Sequence, residues 1–253
     1  MSSAQFVKTR PDATVADFEA EAAGLRWLAD GGAPVPRILA VTDDPPALVI
    51  DRIEVGALSD GGAVQLGRDL ATMHRGGAMS HGSLPPGAPD RTLRIGLARL
   101  PIAERDDWHA FYARDLVLPL VAQARDGGTL SAPDAAAIES VSDCLSDFAG
   151  PPEPPARLHG DLWSGNVLAD RSGAGWLIDP AAYGGHREID LAMLRLFGVP
   201  NERIFAAYDE AFPLADGHAE RVPLWQLLPL LVHAVLFGGS YGRAAGDAAR
   251  NFV

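Results

Sequence analysis

The segment LHGDLWSGNVLADRSGAGWLIDP (158–180) constrains the fold of this chain more than any other part of the sequence. Its apolar runs NVLAD and GWLID flank RSGA, a pattern that predicts two short antiparallel strands joined by a four-residue loop. In the register that such a loop implies, Ala169 lies near Trp176, and Asn166 lies opposite Asp179. We therefore expect an amide and a carboxylate to meet at the open end of one hairpin.

The polar residues of this hairpin indicate phosphoryl-transfer chemistry. Mg²⁺ takes oxygen ligands of the kind that Asn166 and Asp179 offer, together with nucleotide phosphates and water. Asp161 stands five residues before Asn166, where a carboxylate can accept the proton of an attacking hydroxyl beside the cation. A lone aspartate more often caps a turn or a strand end, but the three residues together favour catalysis.

Lys8, in AQFVKTR near the N-terminus, is the only lysine of the chain. The pattern predicts a strand over residues 5–9 and a helix over about 14–30, with Glu21 on the apolar stripe of that helix. A carboxylate that faces a core is costly unless it is paired, so we predict a Lys8–Glu21 ion pair. The alternative is a solvated Lys8 and a Glu21 at the edge of the stripe. A strand lysine paired with a helix glutamate is also how kinases hold phosphates.

The remaining sequence divides into a small strand-rich part and a larger helical part. RILAVT and ALVIDRI, separated by DDPP, predict another hairpin. Beyond it, residues 76–96 read as a loop, PPEPP (151–155) reads as a stiff spacer, and apolar periodicity predicts helices at about 63–75, 103–125, 131–149, 188–198, 201–212 and 220–237. We expect an N-terminal lobe over residues 1–53 and a C-terminal lobe over 54–253.

Charge and composition exclude several classes of function. A net charge of −12 argues against binding to nucleic acid and to anionic membranes. The longest apolar stretch, VPLWQLLPLLVHAVLFGG, contains Gln226, Pro229 and His233, so we expect a buried, kinked helix rather than a membrane span. Cys144 is the single cysteine, which excludes an internal disulfide and favours a reducing, cytoplasmic compartment.

Taken together, these motifs resemble the fructosamine kinase (ketosamine-3-kinase) family of the aminoglycoside phosphotransferase-like kinases. The family typically reads HGDLWxGN, then IDPA, then YGxREADLAMxxLFG. This chain has HGDLWSGN and IDPAAYGGHREIDLAMLRLFG, and its LLPLLVHAVLFGGSYG is similar to the helical ending of the family. FVK and EAAGLRWL also match, so the resemblance runs from Phe6 to Gly242.

This resemblance implies an α/β fold of the α+β kind, two-lobed and protein-kinase-like, with a truncated strand-rich N-lobe and a mainly helical C-lobe. It implies ATP- and Mg²⁺-dependent phosphorylation of a hydroxyl on a ketosamine, a deglycation-type repair. The implied roles place Lys8 on the ATP phosphates and in a pair with Glu21, Asp161 as the catalytic carboxylate, and Asn166 and Asp179 on Mg²⁺.

The resemblance also implies roles around this centre. The backbone of Asp51 to Ile53 would form a hinge that hydrogen-bonds adenine. Asp190 would brace the catalytic loop, His159 would be structural rather than catalytic, and Trp163 would wall the sugar-amine pocket. The candidate substrate contacts are Tyr183, His186, Arg187 and Glu188. The alternative for each of these four residues is loop packing and local salt bridges.

The N-terminal end departs from the family pattern. Kinases of this type place two strands and a glycine-rich loop before the strand lysine, but only MSSAQFV precedes Lys8. We expect a gene start placed too far downstream, a trimmed chain, or a protein that lacks this flap and binds nucleotide weakly. Two alternatives to a ketosamine kinase therefore stay open: a non-catalytic kinase-like binding protein, and a kinase of another amino-alcohol such as an aminoglycoside or choline.

Overall fold

A computed structural model describes residues 4–253, and the first three residues of the predicted N-terminal lobe lie outside this range. The N-terminal part contains a three-stranded antiparallel sheet in the order β1-β3-β2. Its strands are β1 (Gln5–Lys8), β2 (Ile38–Asp43) and β3 (Pro46–Asp51). The strands that the sequence predicted around Lys8 and on either side of DDPP are thus confirmed.

One helix, α1 (Val15–Asp30), packs against this sheet. The capping box at its start explains where it begins, because the Thr14 amide donates to Asp17 Oδ2 at 2.9 Å. Phe18 and other apolar side chains of α1 are buried in one cluster with Leu48 and Ile50 of β3. This packing fixes the helix against the strands.

The rest of the chain is mainly helical. Its helices are α2 (Asp60–Arg75), α3 (Trp108–Phe111), α4 (Leu118–Asp126), α5 (Ala132–Asp143), α6 (Glu188–Leu196), α7 (Arg203–Ala211), α8 (His218–Trp225), α9 (Leu227–Phe237) and α10 (Tyr241–Ala249). Three two-stranded antiparallel sheets lie among them: β4 (Thr92–Ile95) with β5 (Ala98–Pro101), β6 (Ala156–Leu158) with β9 (Tyr183–Gly185), and β7 (Val167–Ala169) with β8 (Gly175–Leu177).

A shared apolar cluster ties the N-terminal part to the helical part. Leu28 of α1 is buried together with Leu70 of α2, Leu177 of β8 and Ile204 of α7. Burial of such side chains stabilises the fold by roughly 1.5–3 kcal/mol each. The cluster therefore holds α1 and the β7–β8 hairpin in a fixed relation. A second, larger cluster fills the remaining C-terminal helices.

Several predicted helices are shorter than their apolar periodicity suggested. The helix expected over 220–237 is divided at Gln226. Pro229 has no amide hydrogen to donate, and it lies in the first turn of α9, where none is needed. The helix expected over 103–125 begins at Trp108 and contains a π-helical segment, Tyr112–Val117. No helix within the described range 4–253 is both long and apolar enough to cross a membrane.

Strand β4 and Gly96 of the β4–β5 hairpin lie in the segment predicted as a loop, and β5 lies just beyond it. Leu93, Ile95, Ala98 and Leu100 are buried on one face of this hairpin, and Gly96 adopts the positive φ of 57° that its tight turn requires. The strands are four residues each, too short for their alternation to stand out among the neighbouring Gly and Pro residues. Their placement matters because this hairpin forms one wall of the cleft described next.

Candidate active site

The β7–β8 hairpin carries the central polar residues. Ala169 pairs with Gly175 and Val167 pairs with Leu177, so the predicted register is wrong by one residue. The loop has three residues rather than four, because Asp170 and Ala174 are already joined by a backbone hydrogen bond of 2.9 Å. Gly173 closes this loop with a φ of 86°, a conformation that glycine adopts without steric cost.

The partner of Asn166 is therefore Ile178, whose amide donates to the Asn166 carbonyl at 3.1 Å. Asp179 lies one residue beyond this pair. Asp179 has a φ of 57°, the only positive φ of a non-glycine residue within 4–253. Such a backbone is strained and is typical of functional sites. Its side chain remains 41% exposed, so the carboxylate is open to a ligand.

Lys8 joins the N-terminal part to this hairpin. Its Nζ atom lies 2.8 Å from both carboxylate oxygens of Glu21 and 2.8 Å from Oδ1 of Asp179. The predicted Lys8–Glu21 ion pair is confirmed. Burial raises the pKa of Glu21, and the charge of Lys8 opposes that shift. The ammonium thus stabilises a carboxylate that would otherwise be costly to bury.

Asp161 and Asn166 are in direct contact, as the D-x-x-x-x-N spacing suggested. The Asn166 Nδ2 atom donates to the Asp161 carbonyl at 2.8 Å and to Oδ2 at 3.1 Å. Since both acceptors are oxygens, the amide nitrogen of Asn166 faces Asp161, and the amide oxygen is left for another partner. Burial raises the pKa of Asp161 to about 6, and the hydrogen bond from Asn166 opposes that shift.

The loop that carries Asp161 is held by the fully buried Asp190 of α6. Asp190 accepts hydrogen bonds from the amides of His159 at 2.7 Å and Gly160 at 2.9 Å. Its Oδ2 also lies 3.1 Å from Nε2 of His74. Burial alone would raise the pKa of Asp190, but its partners, His74 first, hold that pKa below the usual value.

Gly160 and His159 complete this loop. Gly160 has a φ of 79°, and a Cβ atom there would lie 2.0 Å from the Ala181 carbonyl. The buried His159 ring lies 2.9 Å from the carbonyl of Ile178, and burial lowers its pKa. A neutral imidazole that donates from Nε2 therefore links the loop to the end of the hairpin. His74, which has no motif of its own, was not predicted to belong to this network.

Six of the predicted site residues line one cleft of about 280 Å³, namely Lys8, Glu21, Asp161, Trp163, Asn166 and Asp179. The cleft is also lined by Leu84 and Pro85 and by Thr92 and Arg94 of β4. Trp163 is 38% exposed, and its ring meets that of Phe197 edge-on at 6.2 Å. The cleft therefore joins carboxylates, an ammonium group and an aromatic wall.

Two arginines of this cleft were missed by the sequence analysis. Arg94 is neutralised, because it donates to Asp17 at 3.0 Å and to Asp90 at 2.6 Å. The buried Nε of Arg10 has no hydrogen-bond partner within residues 4–253, and its guanidinium lies over the Phe18 ring at 5.6 Å. Arg10 stands two residues after Lys8, and in an extended chain the side chains of residues i and i+2 point to the same side. That spacing was the available signal.

The structure does not bring the predicted hinge into this cleft. Asp51 and Ile53 line a separate cavity of about 290 Å³ with Trp176 of β8. The amide of Asp51 already donates to the Arg37 carbonyl, and that of Arg52 donates to Ala4. Within the described residues, the Ile53 amide is the one of the three without a backbone acceptor.

Four predicted substrate contacts also lie outside the cleft, because the chain after Asp179 turns into the core. Tyr183 is fully buried in β9, and His186 lines a different cavity. Arg187 forms a two-pronged ion pair with Glu153, at 2.7 and 2.8 Å. Glu188 accepts hydrogen bonds from Arg221 and from the indole of Trp225. These four residues therefore take part in packing and local salt bridges, which was the alternative to substrate contact.

The protein oxygens at the end of this hairpin fit a magnesium ion that would be coordinated jointly by the protein and by a nucleotide. Within residues 4–253, no group of three or more His, Cys, Asp or Glu side chains could hold a metal alone. The Asn166 amide oxygen and the Asp179 carboxylate are two hard oxygen ligands on one hairpin end. Mg²⁺ is commonly held by one or two protein oxygens together with phosphates and water.

Comparisons with known proteins place this geometry in a family. The sequence model described as fructosamine kinase matches residues 1–253. A protein named probable ketoamine kinase from Thermus thermophilus is 37% identical over 235 residues, covering 93% of this chain and 82% of that protein. A protein-ribulosamine 3-kinase, chloroplastic, from Oryza sativa subsp. japonica is 31% identical, with 96% of this chain and 71% of that protein covered.

Solved structures agree with this assignment. The crystal structure of a fructosamine-3-kinase candidate from Thermobifida fusca is 43% identical with a TM-score of 0.89, and covers 98% of this chain and 84% of that one. A choline/ethanolamine kinase family protein from Mesorhizobium loti, 15% identical with a TM-score of 0.63 over 99% of this chain and 82% of that one, shows the shared two-lobed α+β fold alone. From the match over its whole length and these identities, the chain belongs to the fructosamine kinase family and is a phosphotransferase.

Proposed function

We propose that this protein transfers the terminal phosphoryl group of ATP to a hydroxyl of a ketosamine, a sugar-amine of the fructosamine or ribulosamine type. The observation that carries this proposal is the meeting of Lys8, Asp161, Asn166 and Asp179 in one cleft. The names of the relatives, ketoamine kinase and protein-ribulosamine 3-kinase, support the acceptor class.

In this proposal Asp161 accepts the proton of the attacking hydroxyl. A general base is most effective when its pKa lies near the working pH. Burial brings the pKa of Asp161 to about 6, so the carboxylate is mostly ionised at neutral pH and is more basic than an exposed aspartate. Asn166 fixes the carboxylate through its amide nitrogen, and Asp190 fixes the loop through two amides.

The phosphate side of the cleft is assigned to Lys8, Arg10 and the hairpin end. Asn166 and Asp179 would hold Mg²⁺, which supplies neutralisation of the phosphate charge. Lys8, oriented by Glu21, contacts the phosphates. Arg10 lines the same cleft and adds a second cation, whose terminal guanidinium N–H groups can donate to a phosphate oxygen. We also propose that the adenine reaches beyond this cleft into the separate cavity that Ile53 lines, where the Ile53 amide donates to it.

The acceptor side of the cleft is assigned to Trp163. Its exposed ring, supported edge-on by Phe197, gives a flat apolar surface beside Asp161. Such a surface covers the C–H face of a sugar and leaves its hydroxyls to the polar groups. We propose that Trp163 walls the sugar-amine pocket.

We place the lobe boundary between residues 53 and 54, giving lobes over 1–53 and 54–253. This division is supported by the end of β3 at Asp51 and the start of α2 at Asp60. The proposed compartment is the cytoplasm, because the chain has one cysteine and builds no disulfide framework.

An acceptor panel tests the proposed function. The purified protein is given Mg-ATP with fructosyl-lysine, ribulosyl-lysine, choline or an aminoglycoside. ADP release is measured, and the product is examined separately by ³¹P NMR. We expect ADP release with the ketosamines and a new sugar-phosphate ester signal. Turnover with choline or the aminoglycoside and none with either ketosamine would overturn the assigned acceptor class.

A further inference from the structure

A row of ring side chains leads away from the catalytic cleft. The Trp163 ring meets the Phe197 ring at 6.2 Å, and Phe197 meets the His233 ring at 4.7 Å. His233 in turn lies 5.4 Å from Phe237 and 5.0 Å from Tyr241, all measured between ring centroids. Of these residues, only Trp163 has a role in the proposed reaction. We call this row the aromatic strip, and its members are Trp163, Phe197, His233, Phe237 and Tyr241.

The two ends of the aromatic strip are open to solvent. Phe237 is 66% exposed and Trp163 is 38% exposed, while the other three rings are partly buried. Single exposed apolar side chains are common on protein surfaces, but a contiguous apolar patch is typical of a binding surface. Because Trp163 lines the catalytic cleft, this patch is continuous with the cleft.

The aromatic strip also borders the catalytic loop. Asp161 and His233 line one small gap of about 10 Å³, which has room for roughly one water molecule and places α9 directly beside the loop. The β4–β5 turn touches α9 as well, because a Cβ atom at Gly96 would lie 3.4 Å from Leu236. Leu97 of this turn is 65% exposed. The exposed apolar surface therefore continues from the end of α9 onto the turn.

The substrate proposed above determines what can lie on this surface. A ketosamine carries its amine on the sugar chain, so the substituent of that amine leaves the cleft close to the reacting hydroxyl. When the sugar lies between Asp161 and Trp163, the aromatic strip begins beside it, on the Phe197 side of the indole. Aromatic rings bind apolar and aromatic groups by burying apolar area and by ring stacking. An apolar or aromatic amine substituent is therefore the group that fits this surface.

We propose that the aromatic strip binds the amine substituent of the ketosamine, and that the enzyme prefers ketosamines whose amine carries an aromatic or large apolar group. This proposal rests on the proposed function, because the sugar must first lie beside Asp161. Trp163 then contacts the sugar, while Phe237 and Tyr241 contact the substituent. Since the strip does not touch the reacting atoms, it acts on KM rather than on kcat.

A pair of acceptors that differ by one phenyl ring tests this preference. The acceptors are 1-deoxyfructose with an ethylamino or a 2-phenylethylamino group at C1, so both have the same sugar and an ammonium group. We expect kcat/KM with Mg-ATP to be about tenfold higher for the phenylethyl compound. Equal kcat/KM values would overturn the role of the aromatic strip and leave the ketosamine kinase intact, whereas turnover of neither compound would contradict the proposed function itself.

Variants test which surface binds the phenyl ring. Phe237→Ser removes the most exposed ring of the aromatic strip, and because that side chain is 66% exposed, we expect an unchanged thermal unfolding midpoint. The preference for the phenylethyl compound should fall from about tenfold to about threefold, through a higher KM. Met79→Ser, at a residue that is 94% exposed and outside the strip, is the matched control and should keep the preference. The same preference in Phe237→Ser as in the wild type would show that another surface binds the substituent.

Discussion

The Nζ atom of Lys8 lies 2.8 Å from Oδ1 of Asp179 and equally close to both carboxylate oxygens of Glu21. An ammonium group has three N–H donors, and here three carboxylate oxygens take them. One compact cation therefore joins β1, α1 and the end of the β7–β8 hairpin. A phosphate that enters the cleft must share or displace one of these contacts.

The first prediction concerns the shape of this cation. Arg replaces the compact ammonium by a planar fork, so Lys8→Arg keeps a pair with Glu21 but loses the simultaneous contact with Asp179. We expect kcat/KM for ATP to fall by about 100-fold, with a thermal unfolding midpoint close to that of the wild type. Near-normal turnover by Lys8→Arg would contradict the proposed phosphate contact.

The second prediction concerns pH. Asp161 must be ionised to accept a proton, and its pKa is raised by burial to about 6. We therefore expect kcat/KM to rise with pH through an apparent pKa near 6 and to level off above about pH 7. The hydrogen bond from Asn166 lowers the pKa of Asp161. In Asn166→Ala this bond is lost, so the remaining activity should show a higher apparent pKa than that of the wild type. A wild-type profile that is flat between about pH 5 and pH 8 would argue against Asp161 as the base.

The third prediction concerns stability. Because the folded-state pKa of Asp161 lies above the usual 3.8, the ionised carboxylate destabilises the fold, and this cost grows as the pH rises from about 4 through 6. Asp161→Asn should raise the free energy of unfolding at pH 8 by up to about 3 kcal/mol. The gain should vanish near pH 4, where the acid is protonated in the folded state. Urea titrations followed by circular dichroism at both pH values measure this difference.

The fourth prediction compares two arginines of one cleft. Within the described part of the chain, Arg10 forms no ion pair, whereas Arg94 is held by Asp17 and Asp90. Arg10→Gln should weaken ADP binding by about tenfold and leave adenosine binding unchanged, because only the phosphates meet the guanidinium. Arg94→Gln is the matched control and should change ADP affinity by less than about twofold. Calorimetric titration would reject the phosphate contact if both variants bound ADP like the wild type.

The sequence predicted a contact correctly where a physical requirement could be met by one residue pair. A glutamate on the apolar stripe of α1 needs a cation, and one lysine was available, so the Lys8–Glu21 pair was predictable. The contact between Asp161 and Asn166 followed from a spacing that a tight turn closes. The hairpin register was missed by one residue, because a loop of three residues with glycine at its end resembles a loop of four in the sequence.

Other features depend on long-range packing that local patterns do not record. Tyr183 to Glu188 follow Asp179 directly in the chain, yet β9 pairs with β6 and carries them into the core. The role of His74 depends on its contact with Asp190, which lies 116 residues away. Among residues 4–253, Arg94 forms ion pairs with Asp17 and Asp90 and Arg10 forms none, and that difference is visible only in three dimensions.

The most direct test of the central claim is turnover by Asp161→Asn. ADP release and sugar-phosphate formation are measured with Mg-ATP and a ketosamine, for the wild type, Asp161→Asn and the exposed control Asp126→Asn. We predict that Asp161→Asn lowers kcat by at least about 100-fold, remains folded and still binds ADP, while Asp126→Asn matches the wild type. Equal kcat for Asp161→Asn and the wild type would contradict the assignment of Asp161 as the catalytic carboxylate.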